Sequence, residues 1–343
     1  MKDRARRTAR IQEVAAAAGV SVATVSNVLN RPERVTAATT ERVMAAVAAL
    51  DYVPHSGASN LRSGRGSAVG LVLPDVVNSF YARIAAGAAD AAYERGYALT
   101  LCHSGDDAER ERGYFDMLAD QRAVGAVVVP LGADRTRLAR LRRRGLPLVT
   151  ADRADPDGDG CSVSVDDVQG GAEAVEHLIA GRPATSTDAM SIVVVNGDPD
   201  IQQCADRATG AEIAAGRHPS VELTHIAVDE MTVAAGRAAA HTLVTGPRLP
   251  DAVFCANDFL AAGLVRGLVV KGVRVPEDVR VVGFGDLDVA AFSTVPLSTV
   301  RQPVEELGRT AVELLLDEVE SGGGHQHLAR ILTPTMVVRE SAP

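Results

Sequence analysis

Between residues 10 and 30 the chain reads R-I-Q-E-V-A-A-A-A-G-V-S-V-A-T-V-S-N-V-L-N, and no other stretch limits the fold so tightly. Ile11, Val14, Ala15 and Ala18 recur at helical spacing and form one apolar stripe. Gly19 breaks that helix. Ser21 can open a second one, because its hydroxyl can accept from the free N–H groups of the following turn. Val25, Val28 and Leu29 give the second helix a buried face. Its other face shows Val22, Ala23, Ser26 and Asn27, small or polar groups left open to contact. Two short helices about a tight glycine turn make a helix-turn-helix, whose second helix presents its N-terminal residues to base edges in the DNA major groove. Charge separates this reading from that of a plain helical hairpin. Residues 1–65 hold 10 Lys or Arg against 5 Asp or Glu, a balance of +5, so the remainder must carry −14 to give the chain its −9. A basic head on an acidic body is what phosphate neutralisation asks of a DNA-binding head attached to a separate body.

Residues 36–51 read as the third helix of the head, with Thr36 as cap and Val43, Val47 and Leu50 as the buried stripe. Pro54 ends it, since proline pushes the preceding residue out of the helical region. A polar, glycine-containing linker spans residues 55–66, and its one large apolar residue is Leu61. Beyond it, β-rich runs alternate with alanine-rich helical stretches: residues 69–73, 98–102, 126–129, 148–151, 192–195, 252–255 and 279–283. Apolar strands separated by helices indicate an α/β body of parallel sheets covered on both faces. There are too many for one small sheet, so two doubly wound lobes are expected. Aromatic residues are only 3% and Trp is absent, so the core must be built from Ala, Val and Leu. Ligands in such folds sit beyond the carboxyl ends of the strands. Asp75, Asn78, Phe80 and Tyr81 follow the first strand, Asp152 and Arg153 the fourth, and Asn257 and Asp258 the run that ends at Cys255. Asp258 can serve merely to cap the next helix, which makes Asn257 the better ligand candidate.

The motifs V-A-A-A-A-G-V-S-V-A-T-V-S-N-V-L-N, V-G-L-V-L-P-D-V-V-N-S-F, F-C-A-N-D, V-P-E-D-V-R-V-V-G-F-G-D and L-S-T-V-R-Q-P occur in this order along nearly the whole chain. In that order and spacing the sequence resembles the LacI/GalR family of bacterial transcriptional regulators. The resemblance implies a helix-turn-helix domain at 1–54, a hinge at 55–66, and a periplasmic-binding-protein-like body at 67–343. Lobe one would take about 67–152 and 300–330, and lobe two about 153–298 and 333–343, with crossings near Asp152, Ser298 and Thr333. It implies DNA contacts from Ser21, Val22, Ala23, Thr24, Ser26, Asn27 and Asn30, and a minor-groove wedge from Leu61 in a hinge that folds on DNA. It adds Ile201, Gln203, Arg207 and Met231 to the effector-binding candidates; Arg207 lies in A-D-R-A-T-G, where the family's Arg points at ligand. The family usually has Asp where this chain has Gly285, followed by Asp286. Either Asp286 turns in, or the usual hydroxyl clamp is missing. The function implied is a homodimeric, ligand-controlled regulator, most often a repressor, that binds double-stranded operator DNA and a small polar, carbohydrate-like effector. The alternative is a cytoplasmic solute-binding receptor with no DNA role.

No apolar run is long enough to span a membrane, and the N-terminus lacks a secretory stretch, so a cytoplasmic protein is expected. Cys102, Cys161, Cys204 and Cys255 are dozens of residues apart and read as core thiols. His325 and His327 form an H-x-H in a glycine-rich stretch without a Cys or carboxylate at ligand spacing, and read as a surface loop; no metal and no cofactor are expected. Residues 181–188 read as a long surface loop. His103, Ser104 and Asp106 are adjacent in sequence, which rarely makes a triad, and no nucleophile-elbow motif is present, so no enzyme is expected.

Overall fold

The computed structural model describes residues 9–52, 66–105, 107–130, 138, 142, 145–154, 158–182, 189–321 and 324–343, and Leu61, Asp106 and residues 183–188 lie outside them. The chain divides into two compact units, 1–66 and 67–343. In the first, α1 is Ile11–Ala18, α2 is Val22–Asn30 and α3 is Ala37–Ala49, with a 3₁₀ turn at Pro32–Arg34 between α2 and α3. Glu13 accepts from the Arg10 N–H at 2.9 Å and fixes the start of α1. Gly19 closes α1 at φ 65°, a left-handed conformation that costs glycine little. Ser21 then caps α2, accepting from Thr24 N–H at 3.1 Å. Val14, Ala15, Ala18, Val25, Val28, Val43, Ala46 and Tyr52 bury together as the core of this unit. Two details of α3 differ from expectation. Thr36 stands at the N-cap, but its hydroxyl donates to Thr39 Oγ1 at 3.0 Å and caps no backbone N–H among the described residues. Leu50 is exposed at the helix end, and Ala46 takes its place in the stripe beside Val43.

The second unit has two six-stranded sheets. The first has the order β11-β5-β4-β3-β1-β2: β1 is Ala68–Leu73, β2 Ala98–His103, β3 Gly125–Val128, β4 Leu148–Ala151, β5 Ser162–Val165 and β11 Ala329–Leu332. All its pairings are parallel. The second has the order β12-β10-β9-β8-β6-β7: β6 is Met190–Asn196, β7 Val221–Ala227, β8 Ala252–Cys255, β9 Arg280–Gly285, β10 Ser298–Arg301 and β12 Thr335–Val337. Only the β10–β12 pair is antiparallel. The helices are α4 Ser79–Glu94, α5 Ala108–Asp120, α6 Asp167–Ala180, α7 Gln202–Gly216, α8 Val233–Thr245, α9 Asp258–Val270, the short α10 Asp288–Ala291, and α11 Val304–Ser321.

The first lobe boundary falls later than the sequence suggests. β5 pairs with β4 and β11 in the first sheet, so the chain leaves that lobe after Val165 and not near Asp152. Ser298 begins β10 of the second sheet, so the second crossing follows Arg301 at residues 302–303. The third lies at 333–334, between β11 and β12. A four-residue strand such as S-V-S-V alternates too briefly to declare its sheet; only its partner's hydrogen bonds assign it.

Three helix pairs cover the sheets, and each is closed by reciprocal glycines. A Cβ on Gly87 of α4 would collide with the Glu305 carbonyl of α11, and one on Gly308 of α11 with the Ile84 carbonyl of α4. Gly171 of α6 and Gly210 of α7 meet the carbonyls of Arg207 and Val168 in the same way. Gly236 of α8 and Gly263 of α9 meet those of Leu260 and Val233. The missing side chains let backbones touch, and an alanine-rich core with few aromatics fills the remainder.

Candidate functional site

Two surfaces carry the candidate residues. On α2, Ser21, Val22 and Ala23 are exposed, Thr24, Ser26 and Asn27 are partly so, and Val25 and Val28 point into the core. Val22 keeps 40% of its surface in solvent at the first turn of a short helix. Ser21 and Thr24 hydroxyls lie 2.9 Å apart and hold that turn rigid. Asn30 ends the helix.

The second surface is a cavity of about 410 Å³ between the two lobes of the second unit. Seven of its lining residues follow strands: Pro74 after β1, Val129 and Pro130 after β3, Asp152 and Arg153 after β4, Asn257 after β8, and Gln302 after β10. Phe284 and Gly285 close β9, and Leu287 follows them. Asn78, Phe80 and Tyr81 come from the start of α4, Ile201, Gln203 and Arg207 from α7, and Met231 and Phe259 complete the wall. Both sheets thus deliver their strand ends to one place, as doubly wound sheets do at their switch points.

Of the sequence candidates, Asn78, Phe80, Tyr81, Arg153, Ile201, Gln203, Arg207, Met231 and Asn257 meet at this cavity. Asp75 and Asp286 do not. Asp75 accepts from Val77 N–H at 2.9 Å and shapes the turn before α4. Asp286 is turned toward Arg339 at 2.5 Å and Arg301 at 2.6 Å. Burial opposes its charge, but these two guanidinium groups outweigh it and hold the carboxyl below its ordinary value. Gly285 therefore faces the cavity with no carboxylate, and Asp286 does not replace one. The Asn257–Asp258 pair also reverses. Asn257 is the cap of α9, accepting from Leu260 N–H at 2.8 Å and donating to the Met231 carbonyl at 2.9 Å. Asp258 is fully buried, accepting from Thr299 Oγ1 at 2.6 Å and Leu287 N–H at 2.8 Å. Burial pushes its pKa to about 6 against the pull of those donors. Phe80 and Tyr81, edge to face at 5.2 Å, serve two ends: they line the cavity and also pack on the first lobe's core.

Arg207 is the fixed cation of the site. Its Nε donates to Asp167 Oδ1 at 2.8 Å, its Nη1 to the Ala256 carbonyl at 2.7 Å, and its guanidinium lies 3.9 Å above the Phe284 ring. Burial works against its charge, and Asp167 and Asp152 outweigh that and keep it protonated. Across the cleft, Gln203 Nε2 donates both to the Asp152 carbonyl at 2.9 Å and to its Oδ2 at 2.8 Å. Asp152 sits at φ 66°, a left-handed conformation that Asp tolerates better than most residues. Burial, followed by the nearby charge of Asp167, raises its pKa to about 7. Asp152 Oδ1, Gln203 Oε1 and Gln302 Nε2 are buried in this wall with no hydrogen-bond partner among the described residues. Gln302 lies in the L-S-T-V-R-Q-P motif, but the strand it follows, β10, is not among the apolar runs of the sequence.

Residues 10–55 match the bacterial regulatory proteins of the lacI family, and residues 189–342 match the periplasmic binding protein-like domain. The HTH-type transcriptional repressor PurR of Photobacterium profundum is 31% identical over 335 residues, 97% of this chain and 98% of its own. The chain belongs to the LacI family of bacterial regulatory proteins. The solved transcriptional regulator CelR–cellobiose complex is 32% identical, covers 97% of this chain and 99% of its own, and superposes with a TM-score of 0.69. The lac repressor dimer bound to operator and an anti-inducer is 24% identical, with a TM-score of 0.85 over 98% of this chain and 99% of its own, a likeness of fold. This LacI-family chain is a ligand-controlled, sequence-specific DNA-binding transcriptional regulator, with a helix-turn-helix and a two-lobed periplasmic-binding-protein-like body. No helix among the described residues is long and apolar enough to cross a membrane.

Proposed function

We propose that this regulator is a cytoplasmic homodimeric repressor whose operator affinity is set by a small carbohydrate-like effector held between the lobes, and that it binds without catalysing a reaction. The proposed organisation is a DNA-binding head at 1–54, a hinge at 55–66 with Leu61 as wedge, and a body at 67–343. Ser21, Val22, Ala23, Thr24, Ser26, Asn27 and Asn30 are proposed to read the operator. Asn78, Phe80, Tyr81, Asp152, Arg153, Ile201, Gln203, Arg207, Met231, Asn257 and Gln302 are proposed to hold the effector.

The observation that carries the effector class is the set of three buried, partnerless polar atoms in one cavity wall. Leaving such groups unpaired costs about 1–3 kcal/mol each. Asp152 Oδ1 and Gln203 Oε1 require O–H or N–H donors, whereas Gln302 Nε2 requires an acceptor. Vicinal hydroxyls supply both from one small molecule, and Phe80 and Tyr81 offer apolar faces for its C–H side. Relatives support the class: CelR is solved with cellobiose, and PurR is named as a repressor. Because Gln203 and Asp152 belong to opposite lobes, a ligand that bridges them favours one interlobe angle. It can bias DNA affinity only by its differential affinity for the two states.

A thermal-shift screen of sugars, sugar phosphates and nucleobases tests this reading, followed by operator binding with and without each hit. Ligand at about 100 times its Kd should stabilise by about 2.7 kcal/mol. Stabilisation by nucleobases alone, or by sugars with no change in operator affinity, would refute it.

A further inference from the structure

The sequence reads His325 and His327 as part of a solvent loop, but the fold brings a thiol and a carboxylate to them. Cys161 stands buried immediately before β5, and Glu318 lies in the last turn of α11. The two histidines are in the connection from α11 to β11. Cys161 Sγ is 3.0 Å from His325 Nε2 and 3.9 Å from His327 Nδ1, and His327 Nδ1 is 4.0 Å from Glu318 Oε2. All four ligand atoms lie within 4.8 Å of one another.

We propose that Cys161, Glu318, His325 and His327 form a tetrahedral Zn²⁺ site in the first lobe, apart from the effector cavity. Bonds of about 2.0–2.3 Å to Zn²⁺ in a tetrahedron place ligand atoms about 3.3–3.8 Å from one another. These three separations lie close to that range, so small side-chain rotations complete the site. The donor set is one sulfur, two imidazole nitrogens and one carboxylate oxygen. That mixture suits Zn²⁺ and excludes the hard cations, which take oxygen alone. Two further observations point to an ion. Glu318 Oε2 is buried and has no hydrogen-bond partner among the described residues. The Leu328 N–H donates to Cys161 Sγ at 3.4 Å, the kind of outer contact that supports a ligating thiolate. On binding, the Cys161 S–H bond breaks, its proton passes to solvent, and the sulfur pair forms the metal bond. The site would pin the α11–β11 connection to β5. β11 leads directly into the third lobe crossing, so the metal braces one of the three strands that must bend when the lobes move.

The test uses full-length protein without an affinity tag, stripped of metal by chelator and titrated with Co²⁺ and then Zn²⁺. One Co²⁺ per chain is expected, with the intense visible bands of tetrahedral cobalt and a near-ultraviolet thiolate charge-transfer band, both erased by stoichiometric Zn²⁺. Cys161→Ser should remove the charge-transfer band. His327→Gln, at an exposed position that should leave the fold intact by circular dichroism, should weaken Zn²⁺ by more than the roughly 10–100-fold that loss of an outer-shell partner costs. Melting temperature should rise with Zn²⁺ in the parent and not in His327→Gln. Absence of visible bands, a charge-transfer band that survives Cys161→Ser, or unchanged affinity in His327→Gln would each overturn the proposal.

Discussion

Asp152→Asn isolates the cost of keeping a charge under the effector cavity. The carboxyl has an ordinary value of 3.8 and is raised by burial to about 7 in the folded protein. A raised carboxyl takes up a proton on folding. Its penalty is therefore absent below the unfolded value, grows as pH climbs toward about 7, and is constant above that. At about 1.4 kcal/mol for each pH unit of that interval, the full penalty is ~4 kcal/mol. Asparagine keeps the size of the side chain and can still accept from Gln203, but it carries no charge. The stability of Asp152→Asn relative to the parent should thus be most favourable near about pH 8 and should shrink by roughly 2–3 kcal/mol by about pH 5. Urea unfolding of both proteins at the two pH values measures this, and taking the difference cancels the titrating groups that do not couple to Asp152. The effector follows the same logic. A hydroxyl donating to Oδ1 favours the ionised form, so binding releases a proton and effector affinity in the parent falls as pH drops below about 7. Equal relative stability at both pH values, or an effector whose pH dependence survives in Asp152→Asn, would refute the reasoning.

Arg207→Ala should abolish the effector response, read by calorimetry. It should also cost about 3–5 kcal/mol in urea unfolding, because Asp167 is left buried without its cation. Arg207→Lys should not restore affinity, since one ammonium cannot serve Asp167 and the Ala256 carbonyl while lying flat on Phe284. Gly87→Ala should force α4 away from α11 and destabilise the body by about 1–3 kcal/mol, with operator binding at low temperature unchanged. Asn27→Arg should move operator preference at the facing base pair from A·T toward G·C by about 1–3 kcal/mol, because Arg matches the paired acceptors of guanine and Asn the edge of adenine. Selection of bound sequences from a random pool reads that shift, and an identical preference in both proteins would sink it.

Much of this architecture obeys short-range rules, and those rules are written in the sequence. The Gly19 stop, the Ser21 cap and the stripe Val14, Ala15, Ala18 depend on residues within a turn of one another, so the helix-turn-helix is legible from 20 letters. Part of the cavity wall is legible for a related reason: ligand sites in doubly wound sheets follow strand ends, and a strand end is a local event. That rule reaches Asn78, Arg153 and Asn257 without knowledge of how the lobes face each other. It also reaches Asp75, as the family resemblance reaches Asp286, and neither lines the cavity, because a position along the chain does not say which way a side chain turns.

Orientation was decided by partners far away in the chain. Asp286 turns from the cavity because Arg301 and Arg339 meet it there, and Asp258 is buried because Thr299 and Leu287 complete its hydrogen bonds. The sheet that owns β5, the reciprocal glycines of the helix pairs, and the approach of Cys161 to His325 across 164 residues have the same origin. Sequence periodicity reports which face of an element is apolar, since burial is a property each residue carries with it. Which atoms meet across the interior is set by the packing of whole elements, and that information exists only once the chain has folded.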